Sequence, residues 1–185
     1  MQQILKHLKN MQIIVCAAVI LLLAVALYIL FSFSIKDNFA TVQTELVSLS
    51  DNIRNHYKAK PDYWGLNNTS VLKNNIAPEA IVKNKKIIST IGREFVIGQN
   101  ENGDMVMPSQ RSFMITMSNL SKTACHKLVS FDWAKENHLA LQKILLNNGT
   151  DIKDFEWGSE NPLPIKEDIA KSICSNKNAI SWVFE

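Results

Sequence analysis

Residues 13–31 run for nineteen positions without a charge, and thirteen of the nineteen are Ile, Leu, Val or Phe. At roughly −0.3 to −0.6 kcal/mol for each strongly apolar residue, those side chains alone favour insertion into a bilayer by about 4–8 kcal/mol. As a helix rising 1.5 Å per residue, such a run nearly matches a hydrocarbon layer of about 30 Å. A buried core helix fits less well, because the run is apolar on every face. A cleaved secretory signal is the alternative, with Ser32-Phe33-Ser34 as a small-x-small site. The run exceeds the apolar region of about 7–15 residues that such signals carry. The sequence therefore predicts a transmembrane helix over residues 11–35, whose faces include Ile13, Val15, Leu22, Leu27 and Phe31.

The flanks predict an orientation. Lys6, His7 and Lys9 precede the run, while Lys36 and Asp37 cancel just after it. Positive flanks stay in the cytoplasm, so residues 1–10 read as a short basic cytoplasmic N-terminus and 36–185 as exported. This is the pattern of a single-pass inner-membrane protein with a periplasmic domain and the lipid bilayer as a partner. Residues 1–35 contribute +2, and the other 150, with 18 basic and 17 acidic groups, contribute +1. That near-neutral bulk argues against a dedicated nucleic-acid binder, and a composition 46% hydrophobic and 20% charged excludes a disordered chain. Cys16 falls in the apolar run, whereas Cys125 and Cys174 fall in the exported part, where a disulfide persists. A bridge, two separate buried thiols, and a metal site without a second ligand at usable spacing stand in that order.

No Gly or Pro occurs in residues 1–60. Phe39, Val42, Leu46, Leu49, Ile53 and Tyr57 recur three and four apart, which predicts an amphipathic helix with Asp37, Gln43, Glu45, Asp51 and Arg54 on its other faces. A single helix over 11–58 accounts for both stretches, with 36–58 as its amphipathic continuation and Pro61 as the stop. An apolar segment, a loop and a second helix would be the alternative.

Residues 59–185 predict a mixed globular domain. The connection over 59–85 carries short turns, with Asn68 or Thr69 as a helix cap and Pro78 opening another turn. Strands are expected at 93–97, 104–107, 112–117, 152–157 and 180–184. Helices are expected at 121–129 behind Ser121, at 133–147 with Gly149 as C-cap, and at 164–174 behind Pro164. Segregated helices and antiparallel strands make this an α+β fold.

Three stretches in this order resemble type IVb pilins of the PilS type: Tyr63-Trp64-Gly65-Leu66 followed by Ile76-Ala77-Pro78; Phe113-Met114-Ile115-Thr116-Met117 leading to Leu120 and Cys125; and a last helix ending at Cys174 before Ser181-Trp182-Val183-Phe184. The resemblance covers essentially the whole chain. It implies a long N-terminal helix packed through Phe39, Val42, Leu46, Leu49 and Ile53 on an antiparallel sheet, with Cys125–Cys174 as the family's disulfide. It implies other pilin or pilus-assembly membrane proteins as partners, and a homo-oligomer. Type IV pilins carry a short leader ending in Gly and a Glu at the fifth mature residue. Here Asn10 precedes Met11, and Val15 stands where that Glu is expected. Both departures imply a chain that keeps its leader and stays in the inner membrane, or enters a filament rarely, in place of a major subunit.

Chemistry-bearing patterns are thin. The four histidines, His7, His56, His126 and His138, form no HExxH, and there is no G-x-S-x-G, P-loop or dinucleotide fingerprint. Neither catalytic, cofactor-binding nor metal residues are expected, and no cofactor. The acidic cluster Asp151, Asp154, Glu156 and Glu160 and the basic run Lys83, Lys85 and Lys86 read as solvated faces. Two function classes remain: a pilin-like structural or assembly component of a type IVb pilus or related secretion or conjugation system, and a membrane-anchored exported module for adhesion, sugar or DNA recognition.

Overall fold

The computed structural model describes residues 2–98, 112–133 and 140–185, with side chains inside the first helix described over 19–28 and from 38 onward. The chain divides into two compact units, Met1–Asn38 and Phe39–Glu185. Helix α1, Gln2–Tyr57, contributes to both.

In the first unit, the side chains of α1 over residues 19–28 are exposed. Among the described residues, no helix is long and apolar enough to cross a membrane. The stretch with described side chains, 19–28, covers ten residues, about 15 Å and half a hydrocarbon layer. This corrects the expected transmembrane helix, and with it the lipid bilayer as partner and the single-pass inner-membrane location.

In the second unit, the spacing of three and four along α1 does what an amphipathic stripe must. Val42, Leu46, Leu49 and Ile53 are buried to within 1% of completely, Tyr57 is buried, and Phe39 packs half-buried against the same core. The sheet supplies the opposing surface. Strands β3 (Phe95–Ile97), β4 (Phe113–Leu120), β5 (Leu141–Asn147), β6 (Ile152–Glu156) and β7 (Asn178–Phe184) stand in the order β3-β4-β7-β5-β6, antiparallel throughout. The last strand in sequence is the central one. Register places Phe95, Met117 and Ile180 on one face with Ile97, Ile115, Trp182, Ile144 and Phe155. All of these are buried and belong to one core with the α1 stripe. Alternation puts Met114, Thr116, Ser181 and Val183 on the other face. There Thr116 Oγ1 and Ser181 Oγ lie 2.8 Å apart in a buried hydrogen bond.

Between α1 and β3 the chain forms α2 (Asn68–Lys73), a 3-10 turn at Glu79–Ile81 behind Pro78, and the small hairpin β1 (Val82–Lys83) and β2 (Lys86–Ile87). The α2 cap is Asn67, not Asn68 or Thr69: Asn67 Oδ1 accepts the Ser70 N–H at 2.9 Å, and Ser70 Oγ accepts the Asn67 N–H at 3.0 Å. Asn68 serves the sheet instead. Its Nδ2 donates to Phe95 O at 2.7 Å and its Oδ1 accepts from Ile97 N at 2.6 Å, so one side-chain amide satisfies the open edge of β3 as a strand would. Gly98 ends that strand at φ +100°, where an added Cβ would stand 2.7 Å from Leu66 O.

The helix expected at 133–147 is not formed in its second half, where β5 pairs with both β6 and β7. Cross-strand burial of Ile144 and Leu146 outweighs the helical spacing of Leu141, Ile144 and Leu145. Gly149 (φ +88°) turns the β5–β6 hairpin instead of capping a helix, and Asn148 Oδ1 accepts from Thr150 N and Asp151 N. The strand expected at 104–107 and the first half of that helix, 134–139, lie outside the described residues. Helix α3 (Lys122–Val129) is capped by Ser121, whose Oγ accepts from Ala124 N at 3.3 Å. Helix α4, Glu167–Ile173, begins three residues after Pro164.

Candidate assembly surface

The chain offers three surfaces on which function could rest, and their side chains decide among them. The first is a cleft of about 310 Å³ lined by Asp51, Arg54, Asn55, Lys58, Tyr63 and Glu185. Its Arg54 is already engaged. Arg54 Nε donates to Glu185 O at 2.9 Å, and Arg54 Nη1 lies 3.5 Å from Asp51 Oδ1. Burial raises the Tyr63 phenol above its ordinary pKa, with Arg54 pulling it down and Glu185 adding to the rise. A phenol held protonated beside an arginine provides neither a nucleophile nor a base.

The second is the region that ties α3 to α4. Cys125 and Cys174 form a disulfide with Cα atoms 5.9 Å apart, both buried. Next to it, His126 Nε2 is buried without a hydrogen-bond partner and lies 3.8 Å from Glu167 Oε1. Burial is the main cause that lowers the His126 pKa, helped by Lys127 and Lys171 and opposed by Glu167. Glu167 is itself held below the usual carboxylate range by the Lys171 ammonium at 2.9 Å. A bridged sulfur is no nucleophile, so the cluster is a structural clamp. Among the described residues, no group of three His, Cys, Asp or Glu could hold a metal ion.

The third is the exposed apolar length of α1. Leu22 and Leu27, singled out from sequence, are 68% and 66% exposed, in company with Ile20, Leu21, Leu23 and Tyr28. Ile13, Val15 and Phe31 lie outside the residues whose side chains are described. Val42, Leu46, Leu49 and Ile53 lie in the core of the second unit, and Phe39 packs half-buried against it. The sequence patterns therefore separate into a stripe that meets the sheet and a girdle that is exposed over residues 19–28.

A helix with a girdle of this kind and a disulfide-tied antiparallel sheet admit comparison with known proteins. The sequence profile of the family described as Bundlin matches residues 32–181. The chain belongs to the bundlin family. Among solved structures, TcpA, a type IV pilin from Vibrio cholerae El Tor biotype, superposes with a TM-score of 0.56 at 13% identity, covering 80% of this chain and 99% of that one. The type IVb pilin from Salmonella typhi gives a TM-score of 0.53 at 14% identity, covering 77% and 97%. A search of curated sequences returns no relative. The two structures share the bundlin-family chain's fold, and family membership makes it a pilin-like structural component of a type IV pilus system, not an enzyme.

Sequence reasoning missed the part played by Asn68. An Asn in a connection signals a cap or a turn, and only the position of β3 turns its amide towards a strand edge.

Proposed function

We propose that this bundlin-family chain takes its place among other pilins by packing residues 19–28 of α1 against their apolar helices. One observation supports the reading: eight large apolar side chains within that stretch, from Val19 to Tyr28, are 49–73% exposed. Successive helical residues step by about 100°, so Ile20, Leu21, Leu22 and Leu23 already cover the whole circumference. A surface apolar on all sides suits a position surrounded by several neighbours better than a one-sided dimer. Fully burying a Leu or Ile side chain yields about 1.5–3 kcal/mol, so eight together offset an association cost of about 4–15 kcal/mol. Val15 in place of the Glu of other type IV pilins removes a charged docking contact and leaves apolar packing as the means of association. That favours an accessory position over a major one.

A photoreactive amino acid at Leu22, introduced in pilus-producing cells, tests this. Cross-linked species containing a second pilin are the expected products. Recovery of the chain uncoupled to any pilin, under conditions where filaments form, would contradict the reading.

A further inference from the structure

One buried side-chain amide ties together the two segments that carry the bridged cysteines. Asn178 opens β7, is 2% exposed, and gives its whole amide to backbone. Its Nδ2 donates to the carbonyl of Leu120, the last residue of β4, at 3.0 Å, and to Ser175 O at 2.8 Å. Its Oδ1 accepts from Ser175 N at 2.8 Å. Leu120 leads directly into Ser121, the cap of α3, and Ser121 O in turn accepts from Cys125 N at 2.9 Å. Ser175 follows Cys174 in sequence. Ser175 Oγ donates to Asn148 O at 2.7 Å, and Asn148 Nδ2 donates to Ile173 O at 3.2 Å, so the residues on both sides of Cys174 are also held by the β5–β6 turn.

This arrangement shortens the path between the two sulfurs. The cysteines are 49 residues apart in sequence. Leu120 lies five residues before Cys125 and Asn178 four after Cys174, so from the Leu120–Asn178 contact only nine residues of chain lead to the two sulfurs. The β4–β7 register shifts just beyond that contact, and the next paired residues are Met117 and Ile180. Without the amide, the tether therefore lengthens to 14 residues. With a closure cost of (3/2)RT ln n, that change in length alone is worth about twofold, and the freed 175–178 turn adds to it. An amide is needed for this, because Asn offers an acceptor and two donors, whereas an ionised Asp only accepts.

We propose that Asn178 is the positioning residue for closure of the Cys125–Cys174 bridge: in the reduced chain its amide already holds Cys174 in reach of Cys125. The inference goes beyond the assembly reading and does not rest on it. Closure requires an oxidant, here a small-molecule disulfide such as oxidised glutathione. One cysteine thiolate attacks it and releases a reduced glutathione. The second thiolate then displaces the other glutathione from the mixed disulfide. Two electrons pass to glutathione, and the two thiol protons leave with the two glutathione thiolates. Asn178 takes no part in the exchange of electrons; it raises the effective concentration of one sulfur at the other.

Thiol–disulfide equilibria of the full chain test this. The wild type, N178A, N178D and N68A are equilibrated with mixtures of reduced and oxidised glutathione, quenched with acid and separated by mass, with circular dichroism to verify that each reduced form is folded. N178A and N178D should lower the equilibrium constant for bridge formation about three- to tenfold, within the range of coupling between members of one hydrogen-bond network. N68A removes a comparable set of bonds at the β3 edge and should leave that constant unchanged, because a loss of stability shared by both redox forms cancels from it. In the reduced wild type, amide exchange should show the Ser175 N–H still protected; this measurement decides the matter if reduced N178A does not fold. An N178A or N178D constant equal to that of the wild type, a drop in N68A as large as in N178A, or free exchange at Ser175 in the folded, reduced wild type would each overturn the proposal.

Discussion

Replacing Cys125 and Cys174 together by alanine would open a covalent loop whose ends are separated by 49 residues in sequence. Chain-entropy arithmetic for a loop of that length gives about 14 cal/mol/K, or about 4 kcal/mol at 25 °C. Both sulfurs are buried, so lost packing adds to the entropic figure. Against a total stability of about 5–15 kcal/mol, this is a large share. Trp133 and Trp182, buried with ring centroids 6.1 Å apart, give a fluorescence signal from the core. In equilibrium urea unfolding with a slope of about 2 kcal/mol/M, the double variant should reach its midpoint about 2 M earlier than the oxidised wild type. Reduced wild type should behave like the variant. A midpoint shift below about 0.5 M at unchanged slope would refute the reasoning, because α3 and α4 would then be held together without the loop closure.

Three further outcomes follow from individual side chains. Gly98→Ala should destabilise by about 2–3 kcal/mol in the same assay, because the backbone is left-handed and the new Cβ meets Leu66 O at 2.7 Å; a neutral result would contradict the close approach. Asn68→Ala should cost about 1–3 kcal/mol by leaving the Ile97 N–H and the Phe95 carbonyl without their partner, and amide hydrogen exchange at Ile97 should accelerate. His126, whose pKa burial holds down, favours the neutral form in the folded chain. Its contribution is therefore complete above the unfolded pKa of about 6.5 and is lost as pH falls below it. Thermal midpoints measured from pH 8 to pH 5 should fall less steeply in His126→Gln than in the wild type, and parallel curves would contradict the assignment.

The parts of the fold that were legible in the sequence are those where one local pattern had one outcome. The stripe from Phe39 to Ile53 has no competing period, and it is the stripe that packs in the core. Ser121 precedes an apolar helix and caps it. Residues 141–147 were not legible, because Leu141, Ile144 and Leu145 suit a helix as well as a strand, and pairing with the distant β7 decides between them. The dipeptide Asn148-Gly149 was the local sign of a hairpin there. The basic hairpin and the acidic strand were each legible as exposed charge. That β7, last in sequence, stands at the centre of the sheet depends on strand order, which no local pattern carries. The apolar run over 13–31 was legible as a run; its described part, 19–28, is an exposed girdle, and no described helix meets the length and apolarity that crossing a membrane demands.

Filaments sheared from cells that express the chain, purified and analysed by quantitative mass spectrometry, test the central claim most directly. Peptides of this chain should be present in the filament fraction at a fixed ratio to the principal pilin, and substitution of Leu22 and Leu27 by Asp should remove them. Filaments free of the chain, or an unchanged ratio after that double substitution, would contradict assembly through the exposed girdle of α1.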